Sequence, residues 1–389
     1  MLSQRIQTLS ESLTMAITAL AQQLRAEGRD VMGFSAGEPD FDTPEVIKQA
    51  AIEALEKGMT RYTAVDGTPE LKAAICAKLK RDNNLDYAAD QVIASNGAKQ
   101  SLFNLFQAVI DPGDEVIIPA PYWVTYPELV RYSGGTPVTI PTDDSTAFKI
   151  TPEQLQSAIT PKTKMLILTS PSNPTGAVYS KAELEVLAEV LKGTDILVAS
   201  DEMYEKLVYD NVTFTAAASI SDDMFARTVT INGLSKSVAM TGWRFGYCAS
   251  ANRELVKAMK KLQSQSTSNI NAITQYAAIR GLDGSADADI ERMRRAFEAR
   301  RDEAVALFNA IEGLSVVKPE GAFYLFVNHK AVETDSMRFA EKLLESAGVA
   351  VVPGKGFGVD GYFRFSFATD IETIRQGIGR IAEFVGNYR

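Results

Sequence analysis

Histidine is nearly missing from this sequence. His329 is the only one among 389 residues, so a histidine-rich metal site is excluded. A Ser-His-Asp triad is not expected either, because that lone imidazole falls in Val327–Lys330, which reads as a polar loop. Cysteine is almost as scarce. Cys76 and Cys248 form no C-x-x-C pair, so they make no metal site and fit a reduced, cytoplasmic protein. Positive charge is in deficit: the formal net charge is −9. Nucleic acid is therefore not expected as a main partner, since binding a phosphate backbone needs a basic face. The start of the chain has no long apolar core, so neither a signal peptide nor a membrane span is expected. No internal repeat or low-complexity linker is visible. What remains is an acidic chain, 46% apolar, long enough for two domains with cores of their own.

The stretch Ile231–Tyr247, INGLSKSVAMTGWRFGY, carries the strongest chemical signal. An apolar run, Thr228–Ile231, leads in and reads as a buried strand; Phe245–Ala249 leads out as another. Between them Lys236 follows a serine, and Arg244 lies eight residues on. A lysine and an arginine in a turn can be an ordinary solvated surface. Buried flanks and small residues favour a site instead. A lysine amine condenses with an aldehyde when its surroundings lower its pKa. An arginine fork matches a phosphate. Pyridoxal 5′-phosphate carries both groups.

Other segments add weaker signals. Gly37, in Ser35-Ala-Gly-Glu-Pro-Asp40, is either a plain turn or a point of close backbone approach. Thr43-Pro44 reads as an N-cap followed by the first helical residue. Tyr62 sits between two helices with no evident core role. Asn96-Gly97-Ala98-Lys99 opens a helix, whose free N–H groups and dipole favour an anion; Lys99 is out of place there unless an anion offsets it. Trp123 ends a strand and either fills the core or stacks on a planar ring. Asn173 lies in the rigid loop Pro171–Gly176 at the carboxyl end of a strand, where open α/β sheets bind ligands, and Asn173-Pro174 is a candidate cis bond. Asp201 ends a buried strand and so needs a partner; a protonated pyridine nitrogen would serve, and Tyr204 lies within reach of the same ligand. Arg364 is either an exposed edge residue or an inward carboxylate clamp. Gly356–Gly361 matches G-x-G-x-x-G, but Tyr362–Phe367 alternates as a strand, so a dinucleotide site is rejected.

Strands and helices alternate from about residue 45 to 280, which predicts a mostly parallel sheet covered on both faces. After Asp287 the pattern becomes α+β. The chain resembles the class I aminotransferases: Gly233-Leu-Ser-Lys236 with Arg244, SAGEPDF, PSNPTG, SDE-x-Y and the late Arg364 occur in family order. Phe245 is bulkier than the small aliphatic residue expected after the arginine. The likeness spans Gly37 to Arg364. It is strongest to the bacterial aspartate aminotransferases that carry a lysine after the turn at Gly97–Ala98.

The resemblance implies an α/β pyridoxal-phosphate transferase of the aspartate aminotransferase-like fold type I. It implies an N-terminal arm over 1–45, a large cofactor-binding domain over 46–284 and a small domain over 285–389. Lys236 would carry the cofactor as a covalent aldimine and then act as base. Arg244, Ser235, Gly97 and Ala98 would hold its phosphate, Asp201 its ring nitrogen, Tyr204 and Asn173 its ring hydroxyl, and Trp123 would stack on the ring. Arg364 would grip the substrate α-carboxylate beside Gly37. Lys99 would serve the phosphate or the substrate's distal carboxylate. Tyr62 would cross a homodimer interface to the partner's cofactor. The activity implied is transamination between aspartate and 2-oxoglutarate with ping-pong kinetics. Alternatives are a broad-specificity, aromatic or prephenate aminotransferase, or a lyase or synthase on the same fold. Prephenate relatives are expected to carry a basic residue just before the segment Ser12-Leu-Thr14, where this chain has Ser10 and Glu11. A ligand sensor would need a DNA-binding module, and no basic helical module precedes residue 15.

Overall fold

The computed structural model describes residues 2–10 and 13–388. Glu11 and Ser12, on which the prephenate comparison turns, lie outside the described residues, as does the side chain of Thr14. Among the described residues the largest sheet has seven strands, in the order Val92–Ser95, Gly246–Ser250, Thr228–Gly233, Leu197–Asp201, Thr163–Thr169, Glu115–Ala120, Thr136–Pro141. Gly246–Ser250 runs antiparallel to both neighbours; the rest are parallel. The central strands are short apolar runs because helices cover both faces. Met165, Leu166, Val198 and Ile231 are fully buried. The carboxyl ends of the parallel strands therefore share one rim, and all but the edge strand Thr136–Pro141 lead into a segment singled out from the sequence.

A second, four-stranded antiparallel sheet runs Val352–Pro353, Tyr362–Ser366, Tyr324–Asn328, Ser315–Val316. The run Val349–Val352 is divided between two sheets. Val349–Ala350 pairs in parallel with Met32–Gly33, whereas Val352–Pro353 pairs with the four-stranded sheet. The N-terminal segment is thus tied to the C-terminal part of the chain.

Local signals mostly act as the sequence suggests. Thr68 caps the helix Pro69–Asn83 by accepting from the Leu71 amide, worth about 1 kcal/mol. Gly356–Gly361 opens no helix but leads into the strand Tyr362–Ser366, as the alternation there required. Thr43 differs. The helix Glu45–Glu56 starts without a side-chain cap. The Thr43 hydroxyl instead donates to the Ala239 carbonyl at 2.7 Å and accepts from Trp243 Nε1 at 2.9 Å. A tertiary partner 196 residues away outcompetes the local cap.

His329 also departs from its expected polar loop. It is fully buried, its ring 4.1 Å from that of Phe339, because it directly follows the strand Tyr324–Asn328 where helix Ser336–Ala347 covers it. Burial lowers its pKa, which leaves it a neutral core residue.

Candidate active site

Lys236 and Arg244 lie in the crossover from strand Thr228–Gly233 to strand Gly246–Ser250. Thr43 fastens this crossover at Ala239 and Trp243. Arg244 itself is held in left-handed backbone at φ 56°, a costly conformation for a residue with a Cβ that persists only where surroundings enforce it. Its guanidinium donates to the Thr241 carbonyl at 2.8 Å and packs on Gly97, where an added Cβ would come within 2.5 Å of it. Gly97, at φ 82°, immediately precedes the helix Ala98–Val109. Gly246 is equally constrained, since a Cβ there would lie 2.2 Å from the Ala98 amide nitrogen. Two glycines thus let an arginine and a helix N-terminus converge on one spot, a cradle suited to a phosphate. Ser235 borders it.

Lys236 opens onto the cleft but is otherwise enclosed, and its amine donates to the Gly37 carbonyl. Enclosure lowers its pKa to about 8, with Arg364 and Arg244 adding to the effect while Glu38 and Asp201 oppose it. Near pH 7 roughly a tenth of such an amine is neutral, against well under a thousandth for an ordinary lysine. Asp201 is buried at the end of its strand and accepts from the Tyr126 hydroxyl at 2.6 Å and the Met203 amide at 3.3 Å. Both donors are neutral. Burial raises its pKa, and those hydrogen bonds and the Lys236 charge oppose the rise. A cationic partner would favour its ionised form.

Arg364 is an inward residue, 2% exposed. It donates to Asn173 Oδ1 at 2.9 Å and to the Ser35 carbonyl at 2.7 Å. Its guanidinium lies 4.3 Å from the Tyr324 ring centre. Burial disfavours its charge, and its Nε has no hydrogen-bond partner among the described residues. Tyr204 pairs its hydroxyl with that of Tyr324 at 2.9 Å. Lys99, in the first turn of its helix, places Nζ 4.9 Å from the Trp123 ring centre; burial first, then Arg244, lowers its pKa. Trp123 meets Tyr126 edge-on at 5.4 Å.

One cleft of about 580 Å³ is lined by all the residues expected at the site except Gly97 and Tyr62. Tyr62 stands apart. It is 92% exposed and borders a different surface cavity with Arg61 and Ile270. Sequence reasoning overlooked Tyr126, Tyr324 and Ser35 as partners of Asp201, Tyr204 and Arg364. It also overlooked Met15, Thr18 and Gln22, which reach the cleft from the N-terminal helix Leu13–Ala26.

Residues 29–381 match the family model described as aminotransferase class I and II, and the chain belongs to that family. Among its relatives, an aspartate/prephenate aminotransferase of Cereibacter sphaeroides is 49% identical, with 98% of each chain covered. The crystal structure of an aspartate aminotransferase from Rhizobium meliloti superimposes with a TM-score of 0.96 at 44% identity over the whole of both chains. That of the Thermus thermophilus aspartate aminotransferase with maleate gives 0.95 at 44% identity, covering 98% of this chain and 99% of that one.

Proposed function

We propose that this protein transfers the amino group of aspartate to 2-oxoglutarate, giving oxaloacetate and glutamate by a ping-pong route, with pyridoxal phosphate held in the cleft. One observation carries the reading. In a chain of net charge −9, the cleft gathers Lys99, Lys236, Arg244 and Arg364, and among the described residues none of the four forms an ion pair. Against these four cations the lining sets two acids, Glu38 and Asp201, and the remaining positive excess favours anionic ligands such as a phosphate and a carboxylate. The residues fit the cofactor: Arg244, Ser235 and the first amides of the Ala98 helix would take its phosphate, Lys236 its aldehyde carbon, Asp201 its ring nitrogen, and Tyr204 with Asn173 its ring hydroxyl, while Trp123 covers the ring. When bound, the cofactor supplies an aldehyde for the amino group and a ring that accepts the electron pair left at Cα.

The chain's own residues do the rest. Arg364 holds the substrate α-carboxylate with a two-pronged pair. Gly37 leaves room beside it, a Cβ there lying 3.1 Å from the Tyr324 hydroxyl. The Lys236 amine would take the proton from Cα, and its lowered pKa suits it to that work. Asp201 would keep the ring nitrogen protonated. Lys99 faces the distal carboxylate of an acidic substrate.

Lys99 gives the specificity test. A charged hydrogen bond is worth about 1.5–3 kcal/mol, so Lys99→Ala should lower kcat/KM for aspartate roughly ten- to hundredfold, with much smaller losses for alanine or phenylalanine. Equal losses for every substrate, together with weakened cofactor binding, would assign Lys99 to the phosphate alone. The name of the Cereibacter relative favours prephenate as a second acceptor. Including prephenate in the same panel settles that reading by its rate relative to 2-oxoglutarate.

The assembly proposed is a homodimer in which Tyr62 of each protomer completes the other's phosphate site. It is motivated by the exposure of Tyr62 and its absence from the lining of its own protomer's cleft. Sedimentation should give a dimer, and Tyr62→Phe should weaken cofactor retention. A fully active monomer contradicts this.

A further inference from the structure

Between the edge strand Thr136–Pro141 and the helix Pro152–Ala158 the chain leaves the seven-stranded sheet, touches the four-stranded one and returns. Residues 143–148 form this excursion. It ends in two consecutive non-glycine residues in left-handed backbone, Ala147 at φ 49° and Phe148 at φ 60°. Such backbone is sterically costly and persists where other contacts impose it. Here the Asp143 carboxylate accepts from the Ser145 amide at 2.9 Å and hydroxyl at 2.6 Å, and the Phe148 amide donates back to the Asp143 carbonyl at 2.9 Å.

The strained tip drives Phe148 into the aromatic face of the four-stranded sheet. Its ring meets Phe326 at 5.5 Å and Tyr362 at 5.6 Å, both edge-on, and those two rings stack at 4.9 Å. Asp144 adds polar ties, accepting from the Tyr362 hydroxyl and from Asn328 Nδ2, the latter at 2.9 Å. On the return, Lys149 pairs with Glu183 at 2.6 Å and the Ile150 amide donates to the Tyr179 hydroxyl at 3.0 Å. The segment is therefore anchored on the four-stranded sheet and, just past its end, on Tyr179 and the helix Lys181–Leu191.

The patch it grips is the one that carries Arg364. Phe326 is the register partner of Arg364, and Tyr362 precedes Arg364 by two residues on the same strand and face. Phe357 joins them, with its ring 6.0 Å from Phe326 and 5.2 Å from the Arg364 guanidinium. The Phe357 carbonyl also accepts from the Tyr122 amide at 3.1 Å, next to Trp123.

We propose that the Asp143–Phe148 strap is a positioning device that fixes the four-stranded sheet, and with it the Arg364 guanidinium, at the separation from Lys236 that lets one substrate engage both. The proposal rests on the reading of Arg364 as the carboxylate clamp. Asp144 and Phe148 are positioning residues that act through Tyr362 and Phe326.

The test uses the cofactor-loaded enzyme. Phe148→Ala should raise KM for aspartate and Kd for the dicarboxylate maleate about tenfold or more, as expected for a misplaced binding group. The visible band of the bound cofactor should be unchanged, and kcat should stay within about threefold. Asp144→Asn, which keeps the shape and removes the charge, should shift KM and Kd the same way by less. Phe148→Leu, which keeps the cluster filled, carries the test if Phe148→Ala does not fold. Unchanged KM and maleate affinity in the folded variants, or a fall in kcat alone, overturns the proposal. Arg364→Lys serves as control: if it too leaves KM unchanged, the clamp reading fails. If it raises KM while the strap variants do not, only the strap is rejected.

Discussion

Lys236→Ala should leave a folded protein with neither the visible absorption of a lysine-bound cofactor nor measurable transamination. One nitrogen has two tasks in this account, holding the cofactor's aldehyde carbon and moving the Cα proton. Loss of a positioned base alone costs on the order of 10²–10⁴-fold, and loss of the attachment point adds to it. The fold should tolerate the change. The amine's hydrogen bond is to the Gly37 carbonyl, and the crossover is held separately by Thr43 through Ala239 and Trp243. Thermal unfolding of the variant without cofactor should therefore match that of the parent treated alike. A fully active Lys236→Ala protein would falsify the whole reading.

Asp201→Ala should give the second largest effect. The carboxylate sits at the buried end of a central strand between two neutral donors, Tyr126 and Met203, in surroundings that raise its pKa. A protonated ring nitrogen would be the cation it lacks, and the pairing would stabilise both charges. Without it the ring stores electrons poorly. The variant should still bind cofactor through Arg244 and the Ala98 helix, yet kcat should fall at least about a hundredfold, roughly 2.7 kcal/mol of barrier. Asp201→Asn keeps the shape and should fall nearly as far, because an amide does not hold a proton on the ring. A kcat within about tenfold of the parent, roughly 1.4 kcal/mol, would reject the electron-sink role.

How much of this was legible in the sequence depends on how local the cause is. The Lys236–Arg244 crossover was legible because strand, turn and strand follow one another, and a lysine and arginine between buried flanks are conspicuous. The phosphate cradle was legible in part, since Gly97 before a helix is a local signal. That Gly246 must also be bare, to let Ala98 approach, shows only once the two strands pair. Tyr126, Tyr324 and Ser35 were not legible as partners, because they meet Asp201, Tyr204 and Arg364 across 75, 120 and 329 residues. Tyr126 was in view beside Trp123, and the aromatic alternation around Tyr324 was a usable hint of a ring under an inward arginine. Thr43 and His329 were misread for one reason. Composition suggested a cap and a polar loop, and tertiary packing supplied a stronger partner in each case. The Asp143–Phe148 strap was invisible, since nothing in DDSTAF marks a left-handed Ala-Phe pair.

The most direct test of the central claim is the visible spectrum of the cofactor-loaded protein during two successive additions. Aspartate alone should discharge the band once, releasing one equivalent of oxaloacetate per site, and 2-oxoglutarate should then restore it with one equivalent of glutamate. A band untouched by aspartate, or product released turnover after turnover with no oxo acid present, would contradict the account.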